Sequence, residues 1–179
     1  MSGAARSGKS EWAEAYALSI AEPGSKLVYI ATACAGDQEM RRRIEQHKAA
    51  RKYKGFQTLE RYTDVGGAAS LLSPGSTVLL ECLGTLLANE MFGLGETCAP
   101  GAAAPDLLIM KIFGDVLSLS SCASNLLVVS NDIFSDGVTY DETTQTYRRA
   151  LGALHVKLAG AADLAVECVT GLPRIHKMS

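Results

Sequence analysis

Apolar and polar positions along the chain fall into two patterns. Leu27-Val28-Tyr29-Ile30-Ala31, Val78-Leu79-Leu80 and Leu126-Leu127-Val128-Val129 are short runs that stay apolar at consecutive positions. Such runs suit strands covered on both sides by helices, as in a parallel sheet. Between and around them, the stretches Ser10 to Ala21, Asp37 to Lys52, Leu86 to Leu94, Asp106 to Ala123 and Glu142 to Ala162 predict helices. In the first of these, Trp12, Tyr16 and Ile20 recur at the spacing of one helical face, and Glu22-Pro23-Gly24 stops it. Leu164 to Val169 predicts a last strand, and the Gly171-Leu172-Pro173 turn with its short tail predicts a terminal hairpin. Thr97 to Pro105, small-residue and Pro-rich, predicts a surface loop within one core. Strands alternating with helices, without an internal repeat, indicate an α/β sandwich over a single domain, residues 1–179.

One polar stretch interrupts this alternation before it starts. Gly3-Ala4-Ala5-Arg6-Ser7-Gly8-Lys9-Ser10 fits the pattern G-x-x-x-x-G-K-[ST] at every fixed position, directly ahead of the first helix. Gly3 and Gly8 permit backbone angles that a Cβ would forbid, so successive N–H groups can turn inward around a phosphate. Lys9 would reach the outer phosphates as a point charge. Ser10 would ligate a magnesium ion, and the helix start would face the same anion. A loop of this kind follows a buried strand, whereas only Met1-Ser2 stand before it here. The expectation is a first strand that is missing or truncated. Its absence would remove several buried residues worth about 1.5–3 kcal/mol each.

Composition narrows the class. Hydrophobic residues at 47% and charged residues at 20% of a 179-residue chain describe a protein able to bury one substantial core. A net charge of -2 argues against a general nucleic-acid or membrane-surface binder. Five cysteines, Cys34, Cys82, Cys98, Cys122 and Cys168, are odd in number and form no C-x-x-C pair, so they read as reduced thiols in a cytoplasm, without a zinc site. No signal peptide opens the chain, and no apolar run is long enough to span a bilayer.

Positive charge is nevertheless concentrated in one place. Between Asp37 and Lys54 lie Arg41, Arg42, Arg43, Lys48, Arg51, Lys52 and Lys54 against only Asp37, Glu39 and Glu45. On a helix, Met40, Ile44, His47 and Arg51 form a single stripe, apolar at its start and polar where it leaves the core. Two readings stand side by side. Charge runs are commonly just solvated faces. Alternatively, the histidine attacks phosphorus while the arginine one turn on binds phosphate oxygens bidentately.

The segments GAARSGKSEWAE, LVYIATA, DQEMRRRIEQHKAAR with Phe56-Gln57-Thr58 and Glu60, VLLECLGTLLANEMF, VVSNDIFSDG and AADLAVECVTGLP occur in the order seen in one family. Over nearly its whole length the chain resembles the bifunctional adenosylcobinamide kinase / adenosylcobinamide-phosphate guanylyltransferases of cobalamin biosynthesis. The specificity rests on the glycine-rich loop combined with the R-I-x-x-H-[KR] helix. The resemblance implies an α/β fold, a P-loop NTPase-like three-layer sandwich with a mostly parallel sheet. It also implies two reactions. A nucleoside triphosphate, ATP or GTP, phosphorylates the aminopropanol hydroxyl of adenosylcobinamide; GMP then passes from GTP to that phosphate through a histidine-bound GMP, the histidine being His47 here. Lys9, Arg51 and Mg2+ would stabilise charge on the phosphate oxygens, with Ser10 and Glu81 holding the metal.

The nucleotide site so implied comprises Gly3, Ala4, Ala5, Arg6, Ser7, Gly8, Lys9, Ser10, Arg51 and Glu81. The partners are adenosylcobinamide and its phosphate, and the resemblance suggests a symmetric homo-oligomer, a trimer, with cobinamide between subunits. Asn89 matches a family asparagine but reads equally well as a helix-surface residue; Asn131 and Asp132 sit just after an apolar strand, where ligands of open α/β sheets bind, and read equally well as a plain turn; Arg148 and Arg149 suit packing or subunit contacts. Departures from the family pattern are Phe56, Lys52, Gly84 and His155. A P-loop kinase of another small alcohol, or a nucleotide-binding regulatory protein with an impaired loop, are the competing functions.

Overall fold

The computed structural model describes residues 1–34, 38–93, 104–134 and 137–179, and at Glu39, Met40, Arg43, Gln46, His47 and Ala50 it describes the backbone alone. Most of the expected Thr97 to Pro105 loop therefore lies outside the described residues. The elements follow the chain as β1 (Ser2–Gly3), α1 (Lys9–Ile20), β2 (Leu27–Ala31), α2 (Gln38–Tyr53), β3 (Phe56–Glu60), a 3-10 segment (Val65–Leu71), β4 (Thr77–Glu81), α3 (Leu83–Phe92), α4 (Pro105–Cys122), β5 (Asn125–Asn131), α5 (Glu142–Ala161), β6 (Leu164–Val169) and β7 (Leu172–Met178). All expected strands and helices form, within a few residues of their sequence boundaries.

The strands make one sheet in the order β3-β2-β4-β5-β1-β6-β7. It is parallel throughout except for β7, which turns back antiparallel on β6 as the terminal hairpin. Side chains alternate across it. Val28, Ile30, Val78 and Leu80 point into a core shared with α3, α4, α5 and the 3-10 segment, through Leu86, Leu87, Ile112, Leu119, Leu151 and Leu154. Tyr29, Ala31, Leu79 and Val129 point the other way and pack with Ala13 and Ala17 of α1 and with Phe56. This gives the three layers.

The expectation of a missing first strand is corrected in part. A central strand exists, but it is two residues long: Ser2 pairs with Ser130 of β5 and Glu167 of β6. Backbone bonds around it extend the pairing, from Ser130 N–H to the Met1 carbonyl at 2.9 Å and from Asp132 N–H to the Gly3 carbonyl at 2.8 Å. Short as it is, β1 delivers the loop to the carboxyl edge of the sheet. Beneath it, a cavity of about 510 Å³ opens between β5 and β6, lined by Trp12, Tyr16, Leu126, His155 and Leu164 among others.

β3 and the 3-10 segment were not anticipated. β3 reads FQTLE, and only Phe56 in it is buried. It is an edge strand, so the two-sided apolar pattern that marks β2 and β4 does not apply to it.

Candidate nucleotide site

The loop from Gly3 to Ser10 is held from beneath by β6 and the hairpin turn. A Cβ on Gly3 would lie 2.6 Å from Ser7 Oγ and 2.7 Å from the Cys168 carbonyl oxygen, so only glycine lets the chain pass here. Gly171 N–H donates to the Ser7 carbonyl at 2.8 Å, and the Cys168 thiol donates to the same oxygen at 2.9 Å. Gly8 takes φ +82° as the residue before α1, and Arg6 takes φ +59°. No side chain caps the start of α1. Its first amides are thus left for an anion, and the positive end of the helix dipole points the same way.

Inside this cradle Lys9 is 7% exposed. Its Nζ donates to the Ala4 carbonyl at 3.2 Å, and among the described residues no carboxylate lies within ion-pair distance of it. A buried ammonium that faces only a carbonyl is costly unless an anion joins it. Ala4, Ala5, Arg6 and Gly8 are exposed, while Ser7 is buried and its Oγ has no hydrogen-bond partner among the described residues.

At the loop's far end the Ser10 hydroxyl donates to Glu81 Oε1. Glu81 closes β4 and brings its carboxylate to the loop from the neighbouring part of the sheet. The other carboxylate oxygen, Oε2, accepts the Tyr29 hydroxyl at 2.7 Å. Burial, and after it the adjacent Glu81 charge, push the Tyr29 phenol far above its ordinary pKa, so Tyr29 acts here as a fixed donor. The guanidinium of Arg51 lies over the face of the same ring, 3.7 Å from its centroid. A hydroxyl and a carboxylate at the end of a phosphate loop are the hard oxygen donors that magnesium takes, with phosphate and water completing its shell. Ser10 and Glu81 therefore fit such an ion. Among the described residues no group of three or more His, Cys, Asp or Glu side chains could form a self-sufficient metal cage.

Thus the structure brings together Gly3 to Ser10 and Glu81, as the sequence reading had them. Arg51 differs. It is 6% exposed and laid on the face of Tyr29, and among the described residues its Nε has no hydrogen-bond partner. His47 lies in α2 one helical turn before Arg51, and its side chain is outside the described set. Tyr29 was missed as a site residue because its position is one of five in an apolar run and carries no motif. Asn89 also has a part: its amide donates to the carbonyls of Thr32 and Tyr62, both at 2.8 Å, and ties the ends of β2 and β3 to α3. Asp132 holds a turn through Phe134 N–H, in keeping with the simpler of its two readings. The expected packing role of Arg148 fits its donation to the Phe134 carbonyl at 3.0 Å.

A family model described as cobinamide kinase / cobinamide phosphate guanyltransferase matches residues 1–175. The chain belongs to that family. Among characterised relatives it is 29% identical over 177 residues to the bifunctional adenosylcobalamin biosynthesis protein CobU of Escherichia coli, covering 96% of this chain and 95% of that one. It is 34% identical over 178 residues to the bifunctional adenosylcobalamin biosynthesis protein CobP of Pseudomonas aeruginosa, covering 96% and 92%. Among solved structures, an ATPase domain superposes with a TM-score of 0.53 at 14% identity, over 93% of this chain and 66% of that one. That likeness concerns the fold alone. Membership in the cobinamide kinase / guanyltransferase family agrees with the cradle and the α2 helix lying on one chain. No helix among the described residues is long and apolar enough to cross a membrane.

Proposed function

We propose that this protein phosphorylates the aminopropanol hydroxyl of adenosylcobinamide and then transfers GMP from GTP to the new phosphate, giving adenosylcobinamide-GDP. The observation that carries the reading is Lys9: a buried cation without a carboxylate partner among the described residues, inside a glycine cradle beside Ser10 and Glu81. A bound polyphosphate would complete that arrangement.

In the first reaction the loop amides and Lys9 hold the β- and γ-phosphates of ATP or GTP while the substrate hydroxyl attacks the γ-phosphorus, the nucleoside diphosphate leaves with the bridging oxygen, and the hydroxyl proton passes to solvent. Ser10 and Glu81 would hold Mg2+, which supplies charge neutralisation on the phosphate oxygens when bound. In the second, a ring nitrogen of His47 attacks the α-phosphorus of GTP and pyrophosphate leaves. A phosphate oxygen of adenosylcobinamide phosphate then attacks the bound GMP and frees the imidazole. Neutral imidazole is a competent nucleophile near neutral pH, and the P–N bond it forms is labile enough to be passed on. The reading includes a homotrimer working in the cytoplasm, checked by sedimentation of the purified protein.

The test is intact-protein mass spectrometry after exposure to GTP and Mg2+. A covalent GMP adduct in wild type, lost in His47→Ala, is the expected result. Equal labelling of His47→Ala sinks the nucleophile assignment, and nucleotide binding without turnover of adenosylcobinamide or its phosphate sinks the whole reading.

A further inference from the structure

Resting on the function just proposed, we infer that Tyr29 is a positioning residue that ties the Ser10–Glu81 end of the nucleotide site to helix α2. One buried side chain would thereby set both the carboxylate and the helix that carries His47.

Tyr29 sits in the middle of β2, where the strand is otherwise Leu, Val, Ile and Ala. Phenylalanine would fill the same volume. The hydroxyl therefore needs a reason, and its partner is Glu81 Oε2 at 2.7 Å. With Oε1 taken by Ser10, both carboxylate oxygens are oriented from protein groups on opposite sides. Groups that hold a metal-binding side chain from behind in this way typically carry about 10–100-fold in metal affinity or activity.

The ring has a second use. Its edge packs on Phe56 at a centroid distance of 6.3 Å and an interplanar angle of 86°, which fixes its tilt. One face then receives the Arg51 guanidinium at 3.7 Å. That contact seats the helix in the interior. Among the α2 side chains the structure describes, Arg51 alone is buried. The other described tie within α2 that reaches the sheet is Lys48 to Glu60, an ion pair with side chains 30% and 39% exposed, and such pairs contribute little. The cation on the Tyr29 ring is desolvated, where cation–π attraction is strongest. Since Arg51 follows His47 by one turn on the same helix, a change in its seat displaces the His47 backbone, and misplacements of about 1 Å can cost about 100-fold in rate.

The two halves separate by substitution in the full-length protein. Tyr29→Phe keeps the ring and removes the hydroxyl; Tyr29→Leu removes both. Three quantities are read: the Mg2+ midpoint for binding a non-hydrolysable GTP analogue by calorimetry, the rate of GMP attachment at saturating Mg2+, and the thermal midpoint. Tyr29→Phe is expected to raise the Mg2+ midpoint by about tenfold, with the attachment rate at saturating Mg2+ close to wild type. Tyr29→Leu is expected to show the same shift and in addition a loss of about tenfold or more in attachment rate. Arg51→Gln, which leaves Tyr29 in place and serves if Tyr29→Leu does not fold, is expected to slow attachment without moving the Mg2+ midpoint.

A wild-type Mg2+ midpoint in Tyr29→Phe overturns the carboxylate half. An unchanged attachment rate in Tyr29→Leu, or in Arg51→Gln when Tyr29→Leu is unfolded, overturns the helix half. Losses that merely follow the folded fraction overturn both. Should wild type bind the analogue yet take no GMP, the guanylyl-transfer reading fails and the helix half with it, while the Mg2+ midpoint still decides the carboxylate half.

Discussion

Gly3 and Cys168 approach so closely that a Cβ on the glycine would stand 2.7 Å from the cysteine's carbonyl oxygen. Ser7 Oγ, 2.6 Å from the same point, can rotate aside; the β6 backbone cannot. Gly3→Ala should therefore destabilise the fold by about 1–3 kcal/mol through overpacking and shift the loop that follows. A lowered urea midpoint together with weakened GTP binding checks this, and an unchanged midpoint contradicts it.

Lys9→Met separates function from stability. The lysine makes one backbone hydrogen bond and, among the described residues, no ion pair. Removing it should lower phosphoryl transfer by about 100–1,000-fold, the range for loss of a charge-stabilising donor. The thermal midpoint should stay level or rise, because a buried uncompensated cation is removed. A large drop in midpoint would show that Lys9 supports the fold itself.

Asn89→Leu keeps roughly the side-chain volume and leaves the carbonyls of Thr32 and Tyr62 without their donor. The expected cost is about 1–3 kcal/mol, read by denaturant unfolding. Because those carbonyls stand just past the ends of β2 and β3, hydrogen exchange should also quicken at Thr32 and Tyr62 before it does in α5.

His155 gives the stability a pH dependence. Its Nε2 lies 2.7 Å from Ser130 Oγ and its ring stands edge-on to Phe134. Burial, chiefly, with the Met1 amine adding to it and Asp132 opposing, lowers its pKa below 6.5. The unfolded chain then binds a proton that the folded chain resists. This contribution is fully present above pH 6.5 and declines as pH falls toward the depressed folded value. Unfolding curves from pH 7 to pH 5 should show wild type losing stability faster than His155→Gln; parallel losses would remove His155 from the account.

Much of this architecture was legible in the residues. Four of the seven strands and all five α-helices were read with only small boundary errors, and a fifth strand as the second arm of the terminal hairpin, because strands covered on both faces and amphipathic or Ala- and Leu-rich helices write their periods into the chain. The phosphate loop was equally plain: Gly3, Gly8, Lys9 and Ser10 are demanded by backbone geometry and charge within eight consecutive positions. β3 escaped because an edge strand with one buried residue has no two-sided apolar run.

What the chain alone decided was therefore local: where hydrogen-bond ladders run, and which turn can wrap a phosphate. What only the tertiary structure decided was which distant residues share a ring or a carboxylate. Glu81 meets Ser10 and Tyr29 because β2 and β4 are neighbours in the sheet, and Arg51 reaches the Tyr29 ring from α2, which packs along β3 beside them. Such pairings depend on strand order and layer packing, which join residues far apart in sequence, and no periodicity within one segment encodes them.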